Sequence, residues 1–71
     1  MELIALTKNG DTKHTFNPAD PSDVAQARIV FDDYRRSGYS AFRVEVGKNT
    51  PLTAFDPDAG TVLFVPMLVG G

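Results

Sequence analysis

Thr61-Val-Leu-Phe-Val-Pro-Met-Leu-Val-Gly-Gly71 decides how the chain is read. Residues 61–65 form a near-continuous apolar, β-branched run, which predicts a central strand with both faces covered. Pro66 has no N–H to continue a ladder and closes that strand. Beyond it, Met67, Leu68 and Val69 lead to Gly70 and Gly71. A terminal Gly-Gly reads either as an ordinary frayed end or, because glycine lets a backbone pass where any side chain would clash, as a flexible tail able to thread a narrow channel and present a carboxylate. The predicted division is a domain over 1–66 and a diglycine tail over 67–71.

Working outward, Glu2 to Lys8 predicts a strand, and Asn9-Gly10 with Thr12 to Phe16 predicts its hairpin return. The register stays open. A two-residue turn sets Leu3 opposite Phe16, whereas a bulge at Gly10 sets Ile4 beside His14 and Leu6 beside Thr12. Either way the first strand is apolar on both faces. The second face is covered elsewhere or is an exposed docking patch.

Asp20, Pro21 and Asp23 spell a helix start: an N-cap, a first-turn proline and a carboxylate on the positive end of the dipole. Val24, Ala27, Phe31 and Tyr34, widened by Val30, recur at helical spacing. Arg35 and Arg36 suit the negative end, and Gly38 suits a left-handed C-cap. The prediction is one helix over 21–36. Residues 39–46 alternate, with Phe42, Val44 and Val46 on one side and Arg43 and Glu45 on the other, a half-buried strand. Residues 47–51 read as a turn, 52–55 as a short strand or irregular edge, and 56–60 as a second turn.

The order is strand, strand, helix, strand, short strand, strand. That implies an α+β domain: one mixed sheet of four to five strands with the helix across a single face. The first and last strands are expected side by side and parallel in the middle.

Composition narrows the function. A chain of 71 residues is one small domain, and with no cysteine it depends on a hydrophobic core, for which 42% apolar residues suffice. A net charge of −2 argues against nucleic-acid binding. No apolar run is long enough for a membrane span, and Met1-Glu-Leu-Ile4 does not resemble a signal peptide, so a cytoplasmic protein is expected. His14, the lone histidine, reads as structural. Asp32-Asp33 face different ways on a helix, and Asp56 and Asp58 lack the other ligands of a calcium loop. No metal, cofactor or catalytic set is expected, and the chain by itself is not expected to be an enzyme.

With that ending, the layout resembles the β-grasp fold of ubiquitin and of the bacterial sulfur-carrier proteins. Residues 1–12, with Thr7-Lys-Asn-Gly-Asp-Thr12, look like ubiquitin's opening hairpin. Residues 59–71 look like the ending of the small subunit of molybdopterin synthase. The helix is longer than usual, residues 47–60 are shorter than ubiquitin's connection, and the tail lacks arginines before the diglycine. The resemblance implies an activating enzyme that uses ATP to adenylate the terminal carboxylate, with a conjugating enzyme, a deconjugating peptidase and target proteins as further partners. It makes Gly71 the acylated residue and Gly70 the access residue. Leu6, Phe64, Met67, Leu68 and Val69 become candidates for partner contact. Five residues beyond Pro66 span roughly 17 Å when extended, enough to enter a buried active site. A bacterial or phage protein modifier ranks first. A sulfur carrier ending as a thiocarboxylate for molybdopterin, thiamine or cysteine synthesis ranks second, and a phage tail-assembly or structural module third.

Overall fold

A computed structural model describes residues 1–66. The order is β1 (Glu2–Thr7), β2 (Gly10–Thr15), α1 (Pro21–Arg36), β3 (Tyr39–Glu45), β4 (Lys48–Leu52) and β5 (Thr61–Pro66). The strands form one five-stranded mixed sheet in the order β2-β1-β5-β3-β4. β1 and β5 run parallel at its centre and every other pairing is antiparallel. The fold is α+β, with the helix packed on one face, as the element order predicts.

The helix has the predicted bounds, and its caps explain them. The Asp20 carboxylate accepts from the Ser22 hydroxyl at 2.8 Å and from the Ser22 amide at 2.9 Å. These bonds hold its carboxyl below the usual carboxylate range. Because the folded value is lowered, the cap stabilises the helix fully above that range and fades as pH falls through the lowered value. At the other end the Ser37 amide donates to the Asp33 and Tyr34 carbonyls, and Gly38 follows with φ of 96°. That left-handed residue turns the chain back into β3.

One layer of core lies between helix and sheet. Leu3, Ala5, Ala27, Phe31, Ala41, Ala59, Val62 and Phe64 are its buried residues. The register sets Ala5 and Ala41 on either side of Phe64. Two small neighbours leave room above the Phe64 ring. Phe31 meets it edge-on at 5.5 Å between centroids, and Tyr34 stacks on it at 4.8 Å. Arg28 lies over Phe55, which in turn meets Phe31 edge-on, so residues 53–60 close the core on the helix side.

Four expectations need correction. The hairpin pairs Leu3 with His14 and Thr7 with Gly10, a register that neither proposed turn produces. Lys8 and Asn9 form the turn, and among the described residues no non-glycine residue has positive φ, so Asn9 cannot sit in a type I′ turn. Thr7 closes it instead: its hydroxyl oxygen accepts from the Asn9 amide and donates to the Gly10 carbonyl. Within this turn the positive φ falls on Gly10, at 110°.

On β3 the face next to the helix carries Ala41 and Arg43, not Phe42 and Val44. Ala41 is buried, Val44 is 41% exposed, and Val46 lies beyond the strand, fully exposed. β4 occupies part of the expected turn, and residues 53–55 lie outside any strand. Pro51 sits in β4 opposite Phe42, where an edge strand tolerates the missing donor. Finally, β5 is central as predicted, but only its Val62 and Phe64 side is covered. Among the described residues nothing is packed over the other side.

Candidate functional site

That uncovered side is the candidate site. Burial of Leu3 and Ala5 on β1, and of Val62 and Phe64 on β5, turns the alternate residues outward. Ile4 pairs with Leu63, Leu63 with Phe42 and Phe42 with Pro51, an apolar row across four strands. Leu6 and Val65 lie one step further along their strands, and Val44 lies one step along β3 in the other direction. None of these residues packs against the core cluster. Ile4, Leu6, Phe42, Leu63 and Val65 are half-buried only by their neighbours in the sheet.

The face is poor in charge. Among the described residues it carries Glu2 on β1 and Asp11 and Lys13 on β2, with Glu2 and Lys13 paired at 3.3 Å. β3 and β5 present no charged side chain to it. An apolar surface of this kind, continuous and rimmed by polar groups, is what interaction sites expose.

No family model, curated protein or solved structure matches the chain.

Of the residues expected to contact partners, Leu6 lies on the open face. Phe64 does not: it is fully buried under the helix, because alternation along β5 gives it the same side as Val62. The outward apolar side chains of that strand are Leu63 and Val65, which the sequence reading missed, together with Ile4 and Phe42. The period-two pattern was visible, but only the packing shows which half of it is covered. The expected roles of Met67, Leu68, Val69, Gly70 and Gly71 lie outside the described residues.

The other polar groups are accounted for by structure. His14 Nε2 lies 3.2 Å from the Tyr34 hydroxyl and its ring stacks near Phe16, tying the edge strand to the helix. Arg43 bridges Glu45 and Asp56, each at 3.0 Å, which anchors the loop after β4. Asp56 also accepts from the Asp58 amide, a turn contact. Asp33 pairs with Arg36 at 3.4 Å on the helix surface, and Arg35 reaches the Leu52 carbonyl. No group of three or more metal-ligating side chains converges among the described residues, and none of their helices is long and apolar enough to cross a membrane.

Proposed function

We propose that this chain is a β-grasp protein modifier, activated at Gly71 and joined to amines on target proteins. The observation that supports the reading is the placement of β5. It is central and parallel to β1, offers Leu63 and Val65 on the open face, and ends at Pro66 directly before Met67-Leu-Val-Gly-Gly71. A partner held on that face would stand beside the start of the tail. In the chemistry, a Gly71 carboxylate oxygen attacks the α-phosphorus of ATP and pyrophosphate leaves. A target amine then attacks the acyl carbon, AMP leaves with the bond electrons, and the amine loses a proton. The carrier supplies no catalytic side chain; the activating and conjugating enzymes do, and a peptidase reverses the bond. A thiocarboxylate sulfur carrier shares the first step, and the proline just before the tail supports it as the second reading.

The test is the tail. Deleting Gly71, or adding one residue after it, is expected to abolish conjugation in the native host while the thermal midpoint of the purified protein stays unchanged. Gly-Gly remnants in isopeptide linkage on other proteins identify a modifier. Intact protein heavier by one sulfur-for-oxygen exchange identifies a carrier. A fully active Gly71 deletion with neither species present would leave the structural-module reading in place. In the same assay Leu6→Glu is expected to fold normally and to weaken capture by the activating enzyme.

A further inference from the structure

The hydrogen bonds of the first hairpin show which backbone groups its edge leaves open. Met1 and Phe16 exchange both N–H···O bonds, at 2.8 Å each. In an antiparallel ladder such pairs alternate with unbonded ones. The bonded pairs are therefore Leu3 with His14, Ala5 with Thr12 and Thr7 with Gly10. Asp11, Lys13 and Thr15 consequently aim their N–H and C=O groups away from the sheet. β2 is a six-residue outer strand without proline, whereas the opposite edge, β4, carries Pro51. Edges of this kind are templates for a further strand.

We propose that the strand completing this edge is β2 of a second copy of the chain, antiparallel about a two-fold axis at Thr12. Only registers that set outward residues against outward residues form the ladder. One places Asp11 against its own copy, and another places Lys13 against its own copy; like charges directly opposite are unfavourable. The register between them places Asp11 opposite Lys13 of the second copy, twice by symmetry, so every charge meets its opposite. Asp11 and Lys13 are both exposed and share the open face with Glu2, so Lys13 sits between two carboxylates in the pair. The axis is normal to the sheet, so both helices lie on one side and both apolar faces merge on the other. This pairing is independent of what the tail does.

The chain has no cysteine, which makes the axis directly testable. In the proposed register Thr12 and its copy form an unbonded pair with Cα atoms about 4.5 Å apart, within disulfide range. Under mild oxidation Thr12→Cys is expected to cross-link at least about tenfold faster than Asn9→Cys, because the dimer holds its thiols at high local concentration. Equal rates would overturn the register. Sedimentation across a concentration series then tests the charges, in a Glu2→Gln background that removes the Lys13 ion pair. Asp11→Lys or Lys13→Asp alone is expected to weaken association about tenfold, and the double exchange Asp11→Lys/Lys13→Asp to restore it. A parent protein that stays monomeric throughout, or an exchange that fails to restore association, would overturn the proposal.

Discussion

Phe31→Ala leaves most of the molecules unfolded at room temperature: that is the expected result, and it follows from where the ring sits. Phe31 is 1% exposed and touches both Phe55 and Phe64 edge-on. Removing a buried phenyl ring costs about 3–5 kcal/mol, through lost transfer energy and the cavity left behind. A single hydrophobic core in a chain of this size, 71 residues without a disulfide, rarely supplies more than about 3–5 kcal/mol, so the loss takes most or all of the stability. Helix, sheet and loop all meet at this ring, which limits how far the cavity can collapse. Thermal melts followed by circular dichroism measure the effect. An unchanged midpoint would mean that the helix presents a different stripe to the sheet.

The second large effect is a contrast between neighbours. Phe64→Glu is expected to abolish folding, whereas Leu63→Glu, one residue away, is expected to cost about 1 kcal/mol, the scale of strand preference on an uncovered face. At position 64 the carboxylate would lie between Ala5 and Ala41 under Tyr34, with no partner, adding the cost of an unpaired buried charge to the loss of the ring. At position 63 it points to solvent between Ile4 and Phe42. Chemical denaturation of the two variants side by side decides the matter. Unfolding of both would show that something covers the open face, and tolerance of both would show that the core is wrongly assigned.

That contrast also marks what the sequence could reveal. The helix was legible to the residue because its ends are written in local chemistry: Asp20 and Pro21 at the start, Arg35, Arg36 and Gly38 at the finish. The order of elements along the chain and the central, parallel pairing of β1 with β5 were legible from their succession. What was hidden depends on contacts between distant residues. Phe42, Val44 and Val46 are larger and more apolar than Ala41, so alternation alone chose the wrong face of β3. The inward position needs a small residue because Phe64 of the next strand fills the space. β4 was hidden because Lys48-Asn-Thr-Pro51 has the composition of a turn, and only its pairing with β3 makes it a strand. The candidate site was legible as an apolar second face on β1, and not as a surface spanning β1, β5 and β3.

The parallel pairing of β1 with β5 also governs the order in which the molecule can be built. Among the described residues β5 is the one strand that touches both halves of the sheet, with β1 on one side and β3 on the other. Without it the chain holds two separate hairpins, β1–β2 and β3–β4, and isolated hairpins are marginal in water. Each can flicker into existence within microseconds. Neither persists until the strand encoded furthest along the chain arrives between them, bringing Val62 and Phe64 against Leu3, Ala5 and Ala41. A ribosome-bound chain that has not yet exposed β5 is therefore an unfolded one, open to chaperones and proteases. Assembly, when it comes, is a single event that joins residues from opposite ends of the domain, the kind of distant closure that slows folding.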